Sequence, residues 1–159
     1  MNPDLTGAPR ADDTASRCGA PTTAILVLLM LACPAGVSAA CTISNTGLAF
    51  EPYNPLGTAA VDGVGTIDIA CEQDISYSIS LGPGQGSFAE RHMTSFSSEL
   101  VYNLYTDANR LIIWGDGTGS TSVVEGSTSG QHAVYGRIPG AQNVPAGQYQ
   151  DTVVITVSY

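Results

Sequence analysis

Lysine is absent from this sequence. Its 159 residues hold five arginines and no other permanent cation, against fourteen acids. Without a lysine amine, no Schiff base can form with a carbonyl substrate and no lysine cross-link can rivet the chain. Histidine is nearly absent as well. His92 and His132 are the only two, and neither lies in a pattern that would activate a nucleophile or bind a metal. There is no G-x-S-x-G elbow, because Gly126-Ser-Thr-Ser-Gly130 has the wrong spacing. The glycine-rich stretches Gly82-Pro-Gly-Gln-Gly86 and Gly115-Asp-Gly-Thr-Gly119 lack the lysine and the following helix of a phosphate loop, and read as turns. No enzymatic activity, cofactor or metal site is expected.

Long hydrophobic runs are also scarce. The longest, Ala24 to Ala32, is too short to cross roughly 30 Å of hydrocarbon as a helix, and Pro34 and Gly36 interrupt its extension. Arg10 and Arg17 precede it and the small residues Val37 to Ala40 follow, the order of a secretory signal. Cleavage is expected at Val37-x-Ala39, with Ser38-x-Ala40 one residue behind. Residues 1–39 are then a leader and 40–159 the mature domain, with no stable membrane span. A lipoprotein reading stays open, since Met30-Leu-Ala-Cys33 loosely resembles a lipid-attachment signal. The mature part carries three arginines and eleven acids, a formal charge of −8. Nucleic acid is not expected as a partner, because phosphate binding needs a basic surface.

After residue 40 no amphipathic helical pattern of useful length occurs. Seven or so short strand-like runs, separated by Gly, Pro, Asn, Asp and Ser, recur about every ten residues. They predict an all-β, immunoglobulin-like Greek-key sandwich. Of four cysteines, Cys18 and Cys33 leave with the leader, and an even pair in an exported chain reads as a Cys41–Cys71 disulfide. Closing a loop of about thirty residues contributes roughly 3 to 4 kcal/mol in the chain-entropy model.

The last stretch organises the rest. Val153, Ile155, Val157 and Tyr159 alternate with Val154, Thr156 and Ser158, which places four large side chains on one face of a strand. Greek-key closure needs one more strand beside this one, and the sequence supplies no further run. A free backbone edge invites pairing with another chain. Tyr53, Tyr102, Tyr105, Trp114, Tyr135 and Tyr149 either pack the sandwich or form a sugar-binding platform. Asp107, Asn109, Asp116 and Glu125 are turn residues whose spacing matches no calcium loop.

Several stretches, in order, resemble the spore coat protein U domain family. They are Cys41-Thr-Ile-Ser44, Leu48-Ala-Phe50, Gly65-Thr-Ile-Asp-Ile-Ala-Cys71 and Arg91-His-Met93. Leu100 to Asp107, Trp114 to Gly119, Val134 to Pro139, and Val144 to Gly147 running into Tyr149 and Asp151 continue the match. The resemblance implies a subunit of an archaic chaperone–usher pilus or a related secreted coat. Its sandwich would lack the final strand. A periplasmic chaperone would fill the groove first, and the N-terminal extension of a neighbouring subunit would replace it, a form of strand addition. An outer-membrane usher would be the remaining partner. Ile43 and Leu48 are expected on one wall of that groove, and Val153, Ile155, Val157 and Tyr159 on the other. Cleavage after Ala39 leaves only Ala40 ahead of Cys41, so an end (tip) position is expected in place of self-polymerisation. The competing reading is a sugar-binding adhesin module.

Sequencing the N-terminus of the exported protein should return Ala40 or Cys41. A lipid-modified Cys33 at that terminus would refute the cleaved, soluble form.

Overall fold

The computed structural model describes residues 41–159, and among these no helix occurs. The strands are β1 (Cys41–Asn45), β2 (Val61–Cys71), β3 (Tyr77–Leu81), β4 (Gln85–Gly86), β5 (Arg91–Ser95) and β6 (Ser98–Tyr105). They continue with β7 (Ile113–Trp114), β8 (Thr121–Ser122), β9 (Val124–Gly126), β10 (Gly130–Ile138) and β11 (Ile155–Ser158). The leader expected over residues 1–39, its cleavage triplets, Cys18 and Cys33 lie outside the described residues.

Alternation makes these segments strands. Along β2, Gly63, Gly65, Ile67 and Ile69 are buried while Asp62 and Val64 face water. Along β3, Tyr77, Ile79 and Leu81 are buried, with serines between them. A period of two puts each set on one face of a pleated sheet. The large sheet runs β1-β2-β10-β6-β5-β4, with β7 beside β6 and β8 beside β7. The small sheet is β11-β3-β9. Every ladder is antiparallel except the short β7–β8 pair. The result is an immunoglobulin-like sandwich of two sheets of unequal extent. Ile67, Ile69, Leu104, Val134 and Ile138 of the large sheet and Tyr77, Ile79 and Leu81 of the small one form its core.

Three side chains tie the sheets together. Trp114 is fully buried, and its indole Nε1 donates to the Ile79 carbonyl at 3.0 Å. Tyr77 Oη and His132 Nε2 lie 2.9 Å apart, and burial holds the imidazole below the ordinary histidine range. Arg91 is the third, with 0 % of its surface exposed. Its guanidinium donates to the carbonyls of Gly82 (2.8 Å) and Trp114 (2.7 Å) and to Asn103 Oδ1 (2.6 Å). Asn103 Nδ2 in turn donates to the carbonyls of Phe88 and Ala89. Burial lowers the basicity of Arg91 below that of a free guanidinium, which remains protonated in any ordinary buffer. Its hydrogen bonds therefore carry a buried charge as well as a fold.

Cys41 and Cys71 face each other across the β1–β2 ladder and are joined in a disulfide, with Cα atoms 4.1 Å apart. Where β10 diverges from β6, the Gln142 side chain takes over as a strand partner. Its Oε1 accepts from Val101 N at 2.8 Å and its Nε2 donates to Val101 O at 2.9 Å.

Some strands differ from the sequence reading for identifiable reasons. β2 starts at Val61, ahead of the Gly65–Cys71 stretch singled out in the sequence, because Gly63 stands in extended backbone and not in a turn. β5 was not expected, because its core-facing position is occupied by an arginine, which hides the apolar alternation.

Replacing Arg91 by methionine keeps the stem but leaves the Gly82 and Trp114 carbonyls without their side-chain donor and Asn103 Oδ1 with the Leu104 amide alone. The denaturation midpoint should fall by an amount worth about 3 kcal/mol or more. Lysine, with one compact ammonium, should recover only part of it. An unchanged midpoint for Arg91→Met would remove the clamp from the account of stability.

Candidate functional site

After Asn45 the chain leaves the edge of the large sheet and crosses over its inner face. Thr46 keeps one last link, its N donating to Thr66 O at 3.1 Å and its Oγ1 accepting from Thr66 N at 3.0 Å. Gly47 then turns with a φ of 68°, a conformation that costs a Cβ-bearing residue about 1 kcal/mol or more. Leu48 and Phe50 point inward from the crossing arm, over a trough made of glycines. A Cβ on Gly63 would come 2.7 Å from the Ala49 carbonyl oxygen, and one on Gly136 2.7 Å from Phe50 Cζ. At Gly65 it would run into the Gly47 carbonyl. Gly63 and Gly136 are direct neighbours in the β2–β10 ladder, so the trough spans two strands. Phe50 ends the arm edge-on against Tyr102, with ring centroids 6.1 Å apart.

The opposite wall is the start of the last strand. Gly82 N donates to Val154 O at 2.8 Å, which extends the β11–β3 ladder one residue ahead of Ile155. On its other side β11 has no partner among the described residues. Val153, Ile155 and Val157 are half-buried while Val154, Thr156 and Ser158 are exposed.

Between the arm and β11 lies a groove of about 410 Å³. Leu48 and Phe50 stand on one side and Val153 and Ile155 on the other. Ile67, Leu81, Leu104 and Val134, all core residues, form its floor. Core side chains therefore meet an opening. Two of its ends are polar: Asn45 and Thr66 at one, Gln150 to Thr152 at the other. Asp151 is tied down there, accepting from Tyr102 Oη at 2.7 Å and from Gln85 N at 3.1 Å. Burial, and after it the bond to Asp151, push the Tyr102 phenol far above its ordinary range. Tyr102 thus stays neutral and donates.

Of the residues expected in the groove, Leu48, Val153 and Ile155 line it. Ile43, Val157 and Tyr159 do not. Ile43 pairs with Ile69 and so shares its inner face, but it is 46 % exposed because nothing among the described residues lies across from it. Val157 continues the inner face of β11 two residues beyond Ile155, and Tyr159 is 60 % exposed. Ile43 and Val157 thus extend the groove as an open strip. Phe50, Met93, Tyr102 and Tyr149 also line it, and sequence reasoning missed them in that role. Only Phe50 carried a signal, two residues on from Leu48 on the same side of an extended segment.

Trp114 and Tyr102 are buried in the sandwich. Tyr53 Oη accepts from Gln142 N, and Tyr149 Oη donates to Pro145 O. Tyr105 and Tyr135 stand side by side on the outer face. The loop acids hold their own turns: Asp107 Oδ1 accepts from the amides of Leu111 and Ile112, and Asp116 Oδ1 from Thr118. Those bonds keep both carboxyls below the usual acid range.

The family model described as Spore Coat Protein U domain matches residues 27–156. Protein U of Myxococcus xanthus is 37 % identical over 144 residues, covering 79 % of this chain and 80 % of that protein. A chain in the crystal structure of the CsuC–CsuE chaperone–tip adhesion subunit pre-assembly complex, from archaic chaperone–usher Csu pili of Acinetobacter baumannii, shares the fold. There the TM-score is 0.57 at 22 % identity, over 77 % of this chain but 40 % of that one.

Gly65→Ala should force the arm off the trough, since its Cβ meets backbone and not a movable side chain. A stability loss of about 1 to 3 kcal/mol is expected in thermal or chemical denaturation. The adjacent outward substitution Val64→Ala should change stability by less than about 0.5 kcal/mol. Equal effects at the two sites would show that the close approach of the arm does not matter.

Proposed function

The chain belongs to the spore coat protein U domain family, and from that membership we propose that it is an exported structural subunit of a bacterial surface fibre or coat, whose groove takes an extended strand from another chain. The family is structural, and the chain is not an enzyme. The observation that carries the proposal is the groove itself. An apolar strip runs beside a strand whose backbone edge is free among the described residues, with walls that would suit alternate side chains of an inserted strand. Backbone hydrogen bonds to β11 would give affinity, and side chains entering between Leu48 and Ile155 would set the register.

The CsuC–CsuE complex pairs a chaperone with a subunit before assembly. By analogy, a periplasmic chaperone would hold the groove of this chain first, and the N-terminal extension of a neighbouring subunit would follow, with an outer-membrane usher as the export partner. Residues 1–39 would act as the secretory leader, and the disulfide suits an oxidising compartment. Processing behind Ala39 would leave no donor segment ahead of Cys41, which supports an end position in the fibre. The mature N-terminus decides that point.

Each large apolar side chain left uncovered forfeits roughly 1.5 to 3 kcal/mol, against a total margin of about 5 to 15 kcal/mol for a typical domain. The free subunit should therefore be marginal. A synthetic peptide alternating isoleucine with threonine should raise its melting temperature in a saturable way. Ile155→Asp, which puts a charge on the groove wall, should abolish that rise and block recovery of the protein from the cell surface. A melting temperature indifferent to the peptide would overturn the strand-acceptor reading.

A further inference from the structure

The β5–β6 hairpin turns on two residues, Phe96 and Ser97. Phe96 has a φ of 53°, and its side chain is completely exposed, at 107 %. Such turns favour Gly, Asn or Asp, because a bulky side chain strains the left-handed backbone. Two other non-glycine residues share a positive φ, and each has an internal reason. Arg110 (φ 59°) binds Asp62 and the Gly136 carbonyl, and Ala141 (φ 62°) donates its N to Gly57 O. The Phe96 ring touches no other part of the described chain. A strained backbone carrying an unpacked aromatic adds nothing to the stability of this domain, and such outliers point to function.

Its position gives the function. Thr94, two residues before Phe96, exchanges both backbone hydrogen bonds with Gln150, at 2.9 and 3.1 Å. Tyr149, Gln150 and Asp151 line the groove. The hairpin tip therefore borders the end of the groove at which the last strand begins. A strand that completes this sheet antiparallel to β11, the sense of both existing ladders in that sheet, has its C-terminal end at this mouth. A donor segment that precedes its own sandwich delivers that folded body here.

We propose that Phe96 docks against an apolar patch on the body of the subunit whose strand fills the groove, so that the junction between the two has a second contact beyond the strand. This rests on the strand-acceptor reading above. The partner surface is apolar, because the tip offers a phenyl ring flanked by the short side chains of Ser95, Ser97 and Ser98 and no charge. A parallel donor would place the body at the Ser158 end and leave Phe96 in water.

Hydroxyl-radical footprinting of surface fibres, read by mass spectrometry, tests this against the same subunit before assembly. Phe96 should react several-fold less in the fibre, as should Val153 and Ile155. The Phe96→Ser subunit should leave its fibre about thirtyfold faster in denaturant, the size of one interface hot spot. Phe96→Tyr, which keeps a ring, should restore the rate. Protection of Val153 and Ile155 with full reactivity at Phe96 would overturn the docking contact and leave the groove reading standing. Absence of protection at all three would overturn both. Unchanged dissociation of Phe96→Ser fibres would also sink the proposal.

Discussion

A three-stranded sheet cannot cover a much wider one, and this mismatch governs the molecule. The small sheet ends at β11, whose inner face is apolar and whose outer edge is free among the described residues. Across from it, the floor continues through Ile67, Leu104 and Val134 of the large sheet. Core side chains therefore end at an opening, where water has to be tolerated or displaced. Covering them costs nothing in backbone pairing, because an inserted strand also satisfies the idle amides and carbonyls of β11.

Holding a groove open demands rigidity around it, and polar groups supply much of that rigidity. Arg91 reaches from β5 to the carbonyls of Gly82 and Trp114, so one buried cation ties the large sheet, at β5 and β7, to the turn that follows β3 of the small one. Asp151, Tyr102 and Gln85 fix the segment leading into β11. On the far wall the arm is set by sterics: glycines on β2 and β10 let Leu48 and Phe50 lie flat on the sheet. Leucine packing alone could close such a gap by collapse. Directional hydrogen bonds and backbone close to backbone resist it.

The same design explains where strain and exposure are tolerated. Turns away from the groove mouth satisfy their own groups, as Asp107 and Asp116 do by accepting from backbone amides. The hairpin at the mouth is paired up to Ser95 and Ser98, yet its turn carries Phe96, the most exposed of the large hydrophobic side chains among the described residues. Functional and structural demands separate by position along the groove.

Sequence alone determined the class of the fold, because alternation with a period of two and frequent turn residues leave no helical alternative. It also located the two cysteines and the apolar face of the last strand. Val153 and Ile155 were legible as groove residues because they stand in a plain alternating run, and Leu48 through the resemblance to the family. Other features belong to the tertiary structure. Nothing marks Gly63, Gly65 and Gly136 as a trough until an arm is seen lying across them, since the space a glycine leaves is visible only with its neighbour in place. Arg91 looks like a surface charge, and its burial depends on carbonyls from residues 82 and 114 that only folding brings within reach. Tyr159 was placed on the groove wall by alternation and Ile43 by the family resemblance, but depth depends on what stands opposite, and among the described residues nothing does. Periodicity reports which way a side chain points; only the packed chain decides what it meets.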